Sequence, residues 1–153
     1  EFASADRVDV IMAFVTVKGL RSLRTALERF TTRPGAQLRL LTTAYQGFTE
    51  TAALDQLAEL QGSQIKVSFQ TGRSRLHAKA WLFHRDSGFC TAYIGSANWT
   101  ETALTTGHEW VIKCCRADQP AIVNEFLTAF NSLWADTEFE VYKKGDPAAR
   151  ARF

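Results

Sequence analysis

The first seventy residues alternate between short apolar runs and stretches in which apolar residues recur with a helical period. The apolar runs, at residues 8–15, 37–43 and 64–70, have the length and composition of strands. Between them, residues 20–30 and 53–60 place apolar side chains three and four positions apart, as on one face of a helix. Two successive strand–helix–strand units require parallel strands, because each helix carries the chain back across the sheet. We therefore predict an α/β fold with a mixed, largely parallel central sheet flanked by helices.

The second half of the chain predicts a hairpin, a further strand and a closing helix. The polar residues 85–88 separate two apolar runs, residues 109–115 form another run, and Pro120 opens an amphipathic stretch. The length of 153 residues is typical of one domain, which we place at residues 1–142. The polar residues 143–153 predict a frayed tail, or a linker to a missing C-terminal region. Because the chain begins without a methionine, we interpret it as a piece of a longer protein.

Composition and charge narrow the classes of function. The net charge of +2 is too weak for the whole molecule to act as a polycation, so phosphate binding would depend on local charge. No apolar run approaches 18 residues and no signal peptide is visible, so we predict neither a membrane span nor secretion. Cys90, Cys114 and Cys115 lie in strand-like runs without metal-ligand spacing. We interpret them as reduced core thiols of a cytoplasmic protein.

Four polar residues interrupt the two apolar runs of the predicted hairpin. His77 and Lys79 are two residues apart in the first run, and Ser96 and Asn98 are two apart at the end of the second, so each pair shares one face of its strand. With a turn over residues 86–89, Lys79 is predicted to lie opposite Ser96, and His77 opposite Asn98. Directly opposed residues are about 4.5–5.5 Å apart. The pattern therefore predicts one cluster of imidazole, ammonium, hydroxyl and amide groups, which suits a phosphate.

These residues resemble the HxK…GSxN motif of the phospholipase D superfamily. The matching residues are His77, Lys79, Gly95, Ser96 and Asn98. The fuller sequence, LHAKAWLF…TAYIGSAN…ALTTGHEW, is similar to the phospholipase D-like nuclease domains attached to DEAD/DEAH-type helicases and to some restriction enzymes. The motif covers roughly a quarter of the chain, and the predicted α/β alternation agrees with the family fold over nearly all of it.

Two further positions bear on this resemblance. Glu109 follows Asn98 by eleven residues, where many single-motif nucleases of the family carry an acidic partner for the histidine. The family motif is usually HxKxxxxD, and the position of that aspartate is occupied here by His84, with Asp86 as the nearest carboxylate. This departure affects the supporting role of the aspartate and leaves the phosphate-contacting residues in place.

The resemblance implies phosphodiester cleavage through a covalent intermediate. His77 would attack phosphorus and form a phosphohistidine, which water would then hydrolyse. Glu109 would hydrogen-bond the other imidazole nitrogen and fix the tautomer. Lys79, Asn98 and Ser96 would hold the non-bridging oxygens and stabilise the developing charge.

The leaving oxygen needs a proton, which calls for a second, protonated histidine. Because the chain has one copy of the motif, we predict a homodimer in which the two His77 residues meet across a two-fold axis. His84 and His108 of the same chain are alternative acids. We expect no metal and no other cofactor, because lysine and amide groups supply the electrostatic stabilisation and the sequence lacks a carboxylate cluster suited to magnesium.

Several candidates also have purely structural interpretations. Gly95 is typical of a bulge or of close packing, although a glycine also lets a phosphate approach the backbone. Glu109 could be a surface charge at the start of a strand. Arg73 and Arg75 fit a solvated loop or a grip on flanking phosphates. Trp99, next to the motif, fits either the core or the stacking of a nucleotide base.

We therefore predict a metal-independent nuclease domain that cleaves DNA in preference to RNA, within a larger helicase or restriction protein. One alternative is a catalytically idle nucleic-acid-binding module of such a protein. The feature that favours this alternative is His84, which replaces the usual aspartate of the motif. A lipid or small-diester phosphodiesterase is a further alternative, which the absence of an amphipathic, membrane-facing helix disfavours.

Overall fold

The computed structural model describes residues 1–70 and 76–153, and in them a seven-stranded sheet forms the centre of the molecule. The strands are β1 Arg7–Met12, β2 Gln37–Thr43, β3 Ser63–Ser68, β4 Lys79–His84, β5 Cys90–Gly95, β6 Val111–Cys115 and β7 Phe139–Val141. The helices are α1 Val17–Thr31, α2 Thr51–Ala58, α3 Glu101–Thr105, α4 Pro120–Ala135 and α5 Pro147–Arg150. The strand order across the sheet is β6-β5-β4-β1-β2-β3-β7.

The predicted α/β fold with a mixed sheet flanked by helices is confirmed, but the sheet is not largely parallel as predicted: among the described strands, two of the six neighbouring pairs are parallel and four are antiparallel. Strands β1, β2 and β3 are parallel, as the two crossover helices require. The remaining pairs are antiparallel, because β4, β5 and β6 follow one another back and forth and β7 returns along β3. Parallel pairing is thus confined to the three strands that the helices α1 and α2 connect.

Apolar side chains fill both sides of the sheet. On one side, alternate residues of β1 and β2 pack with the buried faces of α1 and α2; this group includes Val8, Val10, Leu38, Leu40, Leu20, Leu27, Phe30, Leu54 and Leu57. On the other side, Ile11, Leu41, Leu82 and Ala92 meet Val123 and Phe130 of α4. All three cysteines are free; Cys90 and Cys114 are buried in the core, as predicted, whereas Cys115 is only half-buried. Among the described residues, no helix has the length and apolarity to cross a membrane.

The β4–β5 hairpin differs by one residue from the predicted register. His84 pairs with Cys90 and Ala80 pairs with Ile94, so the connection contains five residues, 85–89, and not four. Gly88 adopts a φ of 85° in this longer turn, a conformation that favours glycine. Lys79 is therefore level with Gly95, and not with Ser96 as predicted.

Residues 143–153 pack against the domain and do not form the frayed tail that their polarity predicted. Gly145 N–H and the Arg150 guanidinium both bind the carboxylate of Asp55 in α2. The Phe153 ring meets that of Phe69 with a centroid separation of 5.4 Å. The polar residues of this segment are held by partners on the domain, which the composition of the segment alone does not reveal.

Candidate active site

Six of the predicted site residues lie at one end of the sheet: His77, Lys79, Gly95, Ser96, Asn98 and Glu109. At this end of the sheet lie the carboxyl ends of β1 and β5 and the amino ends of β4 and β6. His77 precedes β4 by two residues and is exposed, whereas Lys79 is the first residue of β4, pairs with Met12 of β1 and is only 7% exposed. The strand order, and not proximity in sequence, gathers these residues.

The Lys79 ammonium lies directly against His77. Its Nζ is 3.2 Å from Nδ1 and 3.3 Å from Nε2 of the imidazole, and it donates a hydrogen bond of 2.6 Å to the carbonyl of His77. Burial lowers the pKa of Lys79, and the nearby charge of Glu109 opposes that shift. Within residues 1–70 and 76–153, Lys79 forms no ion pair with a carboxylate. A buried cation of this kind is stabilised when an anion meets it.

Asn98 is oriented by the end of β1. Its Oδ1 accepts a hydrogen bond of 3.2 Å from the backbone N–H of Phe14, which leaves its NH₂ group as the donor to a ligand. The next residue, Trp99, donates its backbone N–H to the Phe14 carbonyl at 3.0 Å. The Phe14 ring also meets the His77 ring edge-on, with centroids 6.2 Å apart. Phe14 therefore contacts both the amide and the imidazole of the site.

Ser96 and Glu109 form a second hydrogen-bonded unit. The Ser96 hydroxyl donates to Oε2 of Glu109 and accepts the backbone N–H of Trp110 at 3.1 Å. In the described part of the chain, the hydrogen-bond partner of Glu109 is thus Ser96, and not His77 as the motif implied. Glu109 nevertheless lies near enough to Lys79 to favour its charged form.

Gly95 is required by the close approach of β6. A Cβ atom at this position would lie 1.9 Å from the carbonyl oxygen of Trp110. The close-packing interpretation of this glycine therefore accounts for it without a phosphate.

The other predicted residues fall in different places. Arg73 and Arg75 lie outside the described residues. His84 is at the far end of β4 from Lys79, where its Nε2 is 2.8 Å from the carboxylate of Asp9. Four residues of β4 lie between His84 and Lys79, and the two Cα positions are roughly 17 Å apart along the strand, so His84 cannot serve as the acid at this end of the sheet. Trp99 is fully buried, with its indole N–H donated to the backbone, and cannot stack on a base.

His108, the other alternative acid, is exposed in the segment before β6. Across the described residues, no three His, Cys, Asp or Glu side chains are grouped in a way that could hold a metal ion.

An apolar cavity of about 310 Å³ opens beside Lys79. The rings of Trp81, Phe83 and Tyr93 line it, and Lys79 and Gly95 lie at one end. Neither this cavity nor the role of Phe14 was predicted. An alternation of Lys79, Trp81 and Phe83 along one face of β4 was the available signal for the cavity, since residues two apart share a face.

Comparisons with known proteins agree with this arrangement. A family model described as cardiolipin synthase, PLD-like domain, matches residues 2–134. Two solved structures have a similar fold: NucT from Helicobacter pylori, with a TM-score of 0.69 and 12% identity, and Nuc from Salmonella typhimurium, a phospholipase D family member, with 0.67 and 18%. Each comparison covers 92% of this chain and 84% of the other. No curated protein matches the chain.

Proposed function

Because the chain belongs to the phospholipase D superfamily, we propose that it is a metal-independent phosphodiesterase that cleaves DNA through a phosphohistidine on His77. One observation carries the proposal: the buried ammonium of Lys79 lies 3.2 Å from the His77 ring and, among the described residues, has no carboxylate partner in an ion pair. A phosphodiester would bring an anion to this cation and place its phosphorus next to a nucleophile.

The reaction has two steps. A ring nitrogen of neutral His77 attacks phosphorus, the bond from phosphorus to the leaving oxygen breaks, and an acid gives that oxygen a proton. Water then attacks phosphorus and gives a proton to the group that acted as the acid, the phosphorus–nitrogen bond breaks, and both His77 and the acid are restored. Lys79 and the NH₂ group of Asn98 donate to the non-bridging oxygens in both steps and stabilise their charge. Gly95 closes the β5 side of the phosphate site.

Ser96 and Glu109 act together in this proposal. The carboxylate of Glu109 keeps Lys79 protonated, in accord with its effect on the pKa of that lysine. Ser96 holds Glu109 and the start of β6 in place through its two hydrogen bonds. In the complex with substrate, Glu109 would also hydrogen-bond the imidazole nitrogen of His77 that does not attack phosphorus. Arg73 and Arg75, just before His77 in sequence, would contact flanking phosphates.

The acid is His77 of a second copy in a homodimer. The free edge of β6 supports this, because Trp110, Val111 and Ile112 are 86%, 50% and 66% exposed there. An exposed apolar edge strand is a surface that proteins ordinarily cover. It directly adjoins Glu109 and Gly95, so a second copy on this edge would also reach the site.

We also propose that the domain acts on DNA in the cytoplasm, as part of a larger helicase or restriction protein. The sequence around the motif, which is similar to nuclease domains of helicases and restriction enzymes, supports this larger protein. The free cysteines accord with a cytoplasmic location.

Incubation with plasmid and single-stranded DNA in EDTA tests the proposal. We expect cleavage that persists in EDTA and falls by about 10³-fold or more in His77→Ala, because the nucleophile is lost. An acid-labile phosphoryl adduct should form on the wild type. His108→Ala distinguishes the two sources of the acid: activity should be retained if the acid is the second His77, and lost if it is His108. Cleavage that needs a divalent metal would contradict the mechanism, and binding without cleavage would favour an idle nucleic-acid-binding module.

The apolar cavity favours a second candidate, a phosphodiesterase acting on lipids or small diesters with an apolar group. Its aromatic walls would accept that group while Lys79 holds the phosphate. A short-chain phospholipid, added in the same assay, separates the two candidates. Cleavage of this lipid but not of DNA would favour the second.

A further inference from the structure

An exposed phenylalanine stands at the rim of the site. Phe48, in the turn after β2, is 56% exposed although it is a large apolar side chain. Its ring packs on that of Phe14 with centroids 5.0 Å apart, and Phe14 in turn meets the His77 ring at 6.2 Å. Two ring contacts in series thus connect Phe48 to the candidate nucleophile.

The turn that carries Phe48 is firmly anchored. The buried side chain of the next residue, Thr49, donates to the carbonyl of Ala13 at 3.1 Å. On the other side, Gly47 N–H donates to the Ala44 carbonyl at 3.1 Å. Gln46 adopts a φ of 61°, which is uncommon for a residue other than glycine and occurs where the surrounding structure imposes it. The exposure of Phe48 is therefore a property of a fixed turn.

We infer that Phe48, backed by Phe14, is a platform on which an unpaired nucleobase stacks while the adjoining phosphate is bound at His77 and Lys79. This inference rests on the proposed nuclease function and assigns its substrate class: single-stranded nucleic acid. A base in a duplex already stacks on its neighbours, so an unpaired base is the natural occupant of an open ring face.

Charge and shape favour a base over other occupants. With a net charge of only +2, the chain has little long-range attraction for a polyanion, so local contacts must supply much of the binding. Stacking on an aromatic ring serves single strands of any sequence, because every base has a π-face. An acyl chain would need enclosing apolar walls; Phe14 and Phe48 do not line the cavity beside Lys79.

A comparison of oligo(dT) with a wholly abasic oligomer of equal length tests the platform. Both strands carry the same phosphodiesters, so the ratio of their kcat/KM values isolates the contribution of the bases. We expect the wild type to favour oligo(dT) by about 5- to 100-fold, the range typical of one stacked base. Phe48→Ala should bring this ratio close to one, whereas Phe48→Trp should preserve it. Single-stranded DNA should also be cut faster than the matching duplex.

Phe89→Ala provides the matched control, because Phe89 is 44% exposed in the β4–β5 turn at the opposite end of the sheet. It should keep the wild-type ratio. A wild-type ratio near one, a ratio unchanged in Phe48→Ala, or a loss of dimer in Phe48→Ala by light scattering would each overturn the platform while leaving the nuclease proposal standing. Failure of the wild type to cleave either strand would overturn both.

Discussion

At the scale of single residues, the proposed chemistry depends on the burial of Lys79 and on its contact with His77. An exposed lysine would pair with water and counterions, but this one is 7% exposed and lies against an imidazole. Its desolvation is a cost in the free protein that a bound phosphate would offset. The same burial makes its charge more effective toward a phosphate, because screening by water is weaker there.

Lys79→Met should therefore lower activity by about 10²- to 10³-fold, because the charge that stabilises the transition state is lost. The melting temperature should stay the same or rise, because a buried cation with no carboxylate in an ion pair among the described residues is replaced by an apolar chain of similar length. Cleavage assays and thermal unfolding check the two parts. Lys18→Met is the control, since Lys18 is exposed and should alter neither quantity. A large fall in melting temperature with activity retained would contradict the assignment.

The pH dependence of cleavage follows from the same group. Because the pKa of Lys79 lies below the ordinary lysine value of 10.5, the ammonium loses its proton earlier than an exposed lysine as pH rises. Activity should fall on the alkaline side at a pH below 10.5. A pH–rate profile of the wild type measures this, and an alkaline limb at or above the ordinary lysine value would contradict it.

At the scale of the secondary structure elements, a buried carboxylate joins β1, β2 and β4. Asp9 is fully buried on the α4 side of the sheet and accepts two hydrogen bonds from Arg39, at 2.7 and 2.8 Å. It also contacts His84 and Arg7. Burial alone would raise the pKa of Asp9, but the hydrogen bonds from His84 and Arg39 outweigh it and the pKa is lowered. The histidine at the motif's usual aspartate position therefore has an acidic partner in β1.

Asp9→Asn should lower the free energy of unfolding at neutral pH by about 3–5 kcal/mol, because the buried carboxylate is lost and the half-buried guanidiniums of Arg39 and Arg7 lose their partner. A lowered pKa means that the contribution of Asp9 is present above the unfolded value of 3.8 and is lost as pH falls through the folded value. Acid should therefore destabilise the wild type more than the variant. Denaturant unfolding at several pH values checks this.

Glu28→Gln is the control for that series, because it removes an exposed ion pair with Arg24 within α1. It should change stability by no more than about 0.5 kcal/mol. Equal effects of the two substitutions would contradict the role of Asp9.

At the scale of the whole molecule, the two edges of the sheet differ in what they adjoin. The β6 edge carries Trp110, Val111 and Ile112 beside the site, whereas β7 at the other edge carries the exposed Val141. One strand separates the β6 edge from β4 and three separate the β7 edge from it, so we expect contact through the β6 edge to bring a second His77 nearer the first. The oligomeric state should therefore depend on one edge alone.

Ile112→Lys should convert a dimer to a monomer and abolish cleavage together, because a lysine on the apolar edge opposes its burial. Val141→Lys, an equivalent change on the other edge, should leave both unchanged. Light scattering and cleavage assays on both variants check this. A strict monomer that still cleaves DNA would contradict the homodimer.

The sequence by itself determined the order and type of β1 to β6 and of the helices α1, α2 and α4, and the identity of the motif, whereas the short elements α3, β7 and α5 were not predicted. Apolar periodicity located β1, β2, β3 and their crossover helices to within a few residues, and β2 matched its predicted span of 37–43. Periodicity succeeds there because burial on a sheet or a helix face imposes a regular spacing of side chains. The motif residues were equally visible, because their types and spacing appear in the chain directly.

Only the tertiary structure decided how those residues meet. One extra residue in the β4–β5 turn shifted the register, and the bend after Gly95 delivered Ser96 to Glu109 and Asn98 to Phe14. The sequence could not reveal the contacts of Phe14 and Phe48 with the site, because they join positions far apart in the chain. Such contacts depend on strand order and turn geometry, which follow from the packing of the whole sheet and not from any local pattern.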